Sequence, residues 1–132
     1  MTTDSPFVVF QYTREQALDD GVLVDLRQND LDEVVANAGI KFPVACTAEV
    51  FAECVALTPA AERACNDIKG RLWDIVWMMT NAIRRGGQGD TITFQLMVVR
   101  KRVKPTLTTL KAVCGPGDNM EPVITIMFPD QD

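Results

Sequence analysis

Residues 110–132 read LKAVCGPGDNMEPVITIMFPDQD. The stretch divides into an apolar-alternating run, a Gly/Pro turn, a second such run and an acidic tail. Successive side chains of an extended chain point to opposite faces. In TLTTLKAVC (106–114) this places Leu110, Ala112 and Cys114 together, and in VITIMF (123–128) it places Ile124, Ile126 and Phe128 together. Between the runs, the glycines of CGPGDN (114–119) permit positive φ, and Asp118 or Asn119 can bond the turn backbone. Two strands joined so tightly predict an antiparallel hairpin.

Upstream, TITFQLMVVR (91–100) carries the same period. Ile92, Phe94, Leu96 and Val98 share one face, and Thr91, Thr93, Gln95 and Met97 the other. The connection around Lys104–Pro105 is short enough for a second hairpin. The C-terminal half therefore predicts a three-stranded antiparallel meander, with VLVDL (22–26) as a candidate fourth strand. FVVFQ (7–11) reads as a short strand or an extended lead-in.

The rest of the N-terminal half has helical signals. Thr13 with Gln16 forms a capping-box pattern, and Gly21 closes that helix. Asp30 is placed to cap a helix over 31–38 that ends at Gly39, with Asp32 and Glu33 in its first turn, where the helix dipole favours acids. IKFP (40–43) reads as extended. Thr47 is placed to cap a helix over 48–56, with Val50, Val55 and either Phe51 or Cys54 inward. Thr58–Pro59 opens a helical stretch to about Arg85. Ile68, Leu72, Ile75, Met79 and Ile83 form its apolar stripe, widened by Trp73, Val76 and Trp77. Gly70 predicts a break or kink near 66–70. Asp67, Arg71, Asp74, Met78, Asn81 and Arg85 fall on the opposite, solvent-facing side, with Arg71 spaced to pair with Asp67 and Asp74. Trp73 and Trp77 read as core, or, with Met78, as an interface anchor. The expected fold class is α+β: a helical N-terminal half packed on one face of a three- or four-stranded antiparallel β-meander, in a single domain over 1–132.

Composition limits the chemistry. The chain has 132 residues, 47% hydrophobic and 23% charged, which suits one ordinary globular domain. It has no histidine, so histidine-based nucleophile systems and histidine-ligated metals are excluded within it. Its cysteines, Cys46, Cys54, Cys65 and Cys114, lack CxxC spacing and read as buried reduced thiols of a cytosolic protein. DLRQNDLDE (25–33) has acids but neither the glycine nor the ligand order of a calcium loop. RRGGQGD (84–90) follows a helix instead of opening one and has no Lys-Ser/Thr pair, unlike a phosphate loop. No cofactor or metal is expected. MTTDSPF at the start lacks the features of a signal peptide, and Ile75–Met79, the longest apolar run, is too short for a bilayer. A cytoplasmic location and no membrane partner are expected.

Charge is unevenly placed. Residues 1–62 hold eleven acids and three bases, about −8, and residues 63–132 hold seven acids and ten bases, about +3. The bases Arg100, Lys101, Arg102 and Lys104 have no interleaved aromatic residue and read as protection of a strand end. Direct sequence-specific nucleic-acid binding is not expected. The candidate interaction residues are the acids Asp19, Asp20, Asp25, Asp32, Glu33 and Asp118, with Asp30 beside them. They would face a basic partner surface.

Three patches, YTREQALDDGVLVDL (12–26), GRLWDIVW (70–77) and LKAVCGPGDNMEPVITIM (110–127), resemble a family of small bacterial proteins of unknown function carried by plasmids, phages and integrated elements. The resemblance implies a genetic context and no functional residue. In that context the expected function is a non-catalytic protein-binding factor. It would be an inhibitor of a host defence complex, of anti-CRISPR or anti-restriction type, whose acidic surface occludes a basic channel in a host protein or nucleoprotein complex. Two alternatives stand beside it. One is a homodimeric plasmid or phage accessory protein with an exposed apolar sheet face or edge around Met97, Val99 and Met127. The other is a small-molecule binder or enzyme using carboxylates and arginines, with Arg84 or Arg85 beside an acid in a cleft.

Overall fold

The computed structural model describes residues 12–28, 30–86 and 89–132, so the FVVFQ segment lies outside the described residues. The capping box at Thr13 and Gln16 forms and starts α1 (Arg14–Asp19), and Gly21, at φ +77°, ends it. The chain continues into β1 (Leu23–Asp25) and α2 (Leu31–Asn37). Asp30 does not cap α2 through its side chain: it has helical dihedrals and makes no capping bond. Then come β2 (Val44–Thr47) and the short α3 (Ala48–Val50), which Thr47 caps by accepting the Val50 N–H at 3.3 Å. The helix widens into a π-helical turn, Phe51–Val55, closed by the Ala56 N–H on the Phe51 carbonyl at 2.8 Å. Thr58 caps α4 (Pro59–Arg63), and α5 (Ile68–Arg84) follows. The expected break thus falls over 64–67, and Gly70 lies inside the first turn of α5. The chain ends in β3 (Thr91–Val98), β4 (Thr106–Pro116) and β5 (Pro122–Met127).

The architecture is α+β, but the sheet is not a three- or four-stranded antiparallel meander. Among the described residues it is a five-stranded mixed sheet in the order β1-β2-β5-β4-β3. β3, β4 and β5 pair antiparallel in succession, β2 joins β5 in parallel with Cys46 opposite Ile126, and β1 pairs antiparallel with β2. The reason β2 escapes sequence reading is its burial. All four of its residues are buried, so VACT shows no polar alternation and reads as the lead-in to a capped helix.

The helices are also not confined to one face. Leu72, Ile75, Val76 and Met79 of α5, Val34 and Val35 of α2 and Ala38 just after it pack on Phe94, Leu96, Val98, Leu110, Ala112, Ile124 and Ile126. Thr125 alternates with those core residues and therefore faces the other way. The Arg14 guanidinium of α1 donates to Thr125 Oγ1 at 2.6 Å and to the Ile124 carbonyl at 3.1 Å. α1 thus covers the second face at the β1–β2–β5 end. At the β3–β4 end that face is open, with Met97 57% and Leu107 64% exposed and directly opposite each other. Val99 and Met127, expected beside Met97, are buried instead.

Arg71 departs furthest from expectation. It is buried, and among the described residues it forms no ion pair with Asp67 or Asp74. Its guanidinium donates to the carbonyls of Glu53 at 2.9 Å, Val55 at 3.2 Å and Val99 at 2.9 Å, and to Asn66 Oδ1 at 3.1 Å. Glu53 and Val55 lie in the π-helical turn, whose terminal carbonyls lack intrahelical partners. One planar fork therefore closes that turn, the 64–67 break and the end of β3 together. Thr58 Oγ1 adds a bond to the neighbouring Arg100 carbonyl at 3.1 Å. Replacing Arg71 with methionine orphans several buried carbonyls, so Arg71→Met is expected to cost about 3–5 kcal/mol. Arg71→Lys should fall between, because an ammonium cannot span the fork. Urea unfolding midpoints check this; an Arg71→Met midpoint equal to that of the parent would refute the clamp.

Candidate functional site

The structure divides the six candidate acids by what their carboxylates already do. Asp118, in the β4–β5 turn, accepts the N–H groups of Arg14 and Glu15, each at 2.9 Å, one on each oxygen. It completes the N-terminus of α1 from about a hundred residues away. At Gly117 an added Cβ would meet the Glu121 carboxylate, which would have to swing aside. Asp20 accepts the Tyr12 hydroxyl at 2.7 Å, and Asp25 accepts the Arg27 N–H at 2.9 Å. Burial pulls the Arg14 guanidinium below its ordinary pKa, and the carboxylates of Asp25, Asp118 and Glu121 oppose that shift. Asp25 and Asp118 are thus gathered around one half-buried cation, as parts of the fold.

Asp19, Asp32 and Glu33 are exposed, and no hydrogen bond or ion pair engages their carboxylates among the described residues. Asp19 ends α1 on one face of the sheet, and Asp32 and Glu33 open α2 on the other. Their helices thus pack on different faces of the sheet. Asp32 also borders a groove that contains Arg27 and Lys41. Over residues 12–41 there are seven acids and three bases, so the β1 end as a whole carries net negative charge.

At the opposite edge, α5 lies along β3 and leaves two depressions. One, of about 640 Å³, is lined by Met78, Asn81 and Arg85 from the helix side and by Thr91–Gln95 from the strand. The other, of about 200 Å³, includes Arg71, Asp74 and Leu96–Val99. Among the described residues no acid lines the depression that holds Arg85. Trp73 and Trp77 stack with ring centroids 5.5 Å apart, and Trp77 is 41% exposed instead of belonging to the core. Arg100, of the basic run, is tied down by an ion pair to Glu53 and a cation–π contact with Phe128 at 5.2 Å. Pattern reading missed Arg71, Glu53 and Arg100 as a group, because their partners are mostly backbone carbonyls and one distant carboxylate.

The thiols are unequal. Burial pushes Cys46 up to about 12 and Cys54 up to about 11, which leaves both protonated and unreactive at neutral pH. Cys65, expected to be buried, is exposed at φ +61°. Among the described residues no cluster of three or more acids and cysteines is placed to hold a metal ion. No described helix is long and apolar enough to cross a membrane.

Residues 3–132 match the family described as "Family of unknown function (DUF6573)", and the chain belongs to that family. No curated protein and no solved structure matches the chain.

Two measurements check the structural roles assigned to Asp118 and Asp20. Asp118→Ala removes both capping bonds and should lower stability by about 1–2 kcal/mol in urea unfolding, with Asp118→Asn losing less. The Tyr12 phenol is raised above its ordinary pKa, chiefly by its hydrogen bond to Asp20. A raised pKa in the folded state favours the neutral phenol. That contribution to stability is present below the ordinary tyrosine pKa and is lost as pH climbs through the raised value. Tyr12 is the sole tyrosine, so phenolate absorbance reports it alone. Asp20→Ala should move its midpoint down toward the ordinary value, and an unmoved midpoint would contradict the bond.

Proposed function

We propose that this member of the DUF6573 family is a protein-binding factor that engages a basic partner surface through the acidic β1 end of its sheet. The observation that carries the reading is the division among the acids: Asp19, Asp32 and Glu33 are exposed and have no partner among the described residues, whereas Asp20, Asp25 and Asp118 serve the fold. Charges without an internal partner steer an oppositely charged surface and set the salt dependence of association. The resemblance to proteins of plasmids, phages and integrated elements supports a finer version. The partner is then a nucleic-acid-processing defence complex in the host cytoplasm, of CRISPR or restriction type, and the bound protein occludes its basic channel.

The test is the triple variant Asp19→Lys, Asp32→Lys, Glu33→Lys, which leaves the three structural carboxylates in place. Parent and variant are used as bait in host lysate at low and high salt. The parent should retain one stoichiometric nucleic-acid-processing complex at low salt only. The variant should bind it about tenfold more weakly or worse, with a flatter salt dependence. Equal capture by both baits would sink the acidic-surface reading.

A further inference from the structure

β3 ends the sheet, and its outer side has no strand partner among the described residues. The Cys114 N–H donates to the Asp90 carbonyl at 2.7 Å, and the β3–β4 register runs unbroken from Thr91↔Val113 to Val98↔Thr106. Antiparallel pairs alternate between hydrogen-bonded and non-bonded residues. Ile92, Phe94, Leu96 and Val98 therefore bond to β4, while Thr91, Thr93, Gln95 and Met97 aim their N–H and C=O groups away from the sheet. Such an edge is a template for another strand, and edges meant to stay free are blunted by charge, proline or a bulge. TITFQLMV has no charge, no proline and no bulge over eight residues.

From this edge we infer that a second copy of the chain adds here, β3 against β3, in a two-fold dimer with one continuous sheet. An isologous contact requires self-complementarity, and the edge has it. α5 runs antiparallel to β3, so Arg85 lies beside the Thr91 end and Asp74 beside the Leu96–Val98 end. Antiparallel pairing centred on Phe94 sets Thr91 opposite Met97 of the second copy and Thr93 opposite its Gln95. The same rotation brings Arg85 of each copy toward Asp74 of the other, giving two symmetry-related opposite-charge pairs. Met78, which borders the groove with Phe94, falls near the axis. Asp74 is exposed at this edge, with its carboxyl raised by partial desolvation, and Arg85 of the second copy would supply an opposite charge. The exposed Met97 and Leu107 lie on the open face beside this seam. The inference is independent of the acidic β1 end, which sits at the other edge of the sheet.

Sedimentation over a concentration series tests it with the parent, Gln95→Pro, Asp74→Lys, Arg85→Glu and the double charge swap. The parent should approach twice 14.6 kDa. Gln95→Pro removes an outward N–H that β4 does not use and should leave a monomer with parental circular dichroism. Each single charge reversal should weaken dimerisation about tenfold or more, and the double swap should recover to within about threefold of the parent. A parent that stays monomeric throughout overturns the proposal. So does a dimer that none of the single variants weakens, or a double swap no better than its parents. If Gln95→Pro does not fold, the charge-swap series alone decides.

Discussion

A buried guanidinium that binds backbone carbonyls, and no carboxylate among the described residues, organises this molecule. Removing a cation from water is costly unless its donors are matched, and Arg71 meets that demand with three carbonyls and one side-chain amide oxygen. The acceptors come from three separate places: a π-helical turn, the break before α5 and the exit of β3. Each place has polar groups that ordinary helix or sheet pairing leaves open. The irregular turn, the helix break and the strand end therefore depend on one another. They in turn set where α5 lies along β3, and so shape the grooves at that edge.

The second organising contact links the two ends of the chain. Asp118 supplies the N-terminus of α1 with a charged cap, and Arg14 reaches back over Thr125. The β4–β5 turn is thus more than a reversal: it docks the first described helix on the face opposite the main core. One sheet then presents two unlike edges. The β1 end carries net negative charge, and the β3 edge is neutral with a base and an acid at opposite ends of the accompanying helix. These edges suit different contacts, one electrostatic and tunable by salt, the other built on main-chain hydrogen bonds.

β3 and β4 were legible because one face of each is buried, and the resulting alternation places Phe94, Leu96 and Leu110 correctly in the core; β5, buried on both faces, was legible from its β-branched run and the tight turn before it, which places Ile124 and Ile126 there too. The helix starts at Thr13, Thr47 and Thr58 were legible because capping uses local side chains. β2 was not, because burial on both faces erases the period. Arg71 was not, because helical spacing puts it next to Asp67 and Asp74 and says nothing of carbonyls about sixteen, eighteen and twenty-eight residues away. Among the acids, sequence showed charge but could not separate Asp118, whose partners lie across the fold, from Glu33, which has none among the described residues.

By itself the sequence determined the α+β class, the core faces of β3, β4 and β5, most helix starts, and the exclusion of histidine chemistry. All of these rest on local periodicity, capping or composition. Only the tertiary structure decided that β2 inserts in parallel beside β5, that α1 crosses to the second face, that Arg71 is buried and that β3 has no outer strand partner among the described residues. Each of these depends on contacts between segments far apart in the chain. Such contacts leave no periodic trace in the residues that make them.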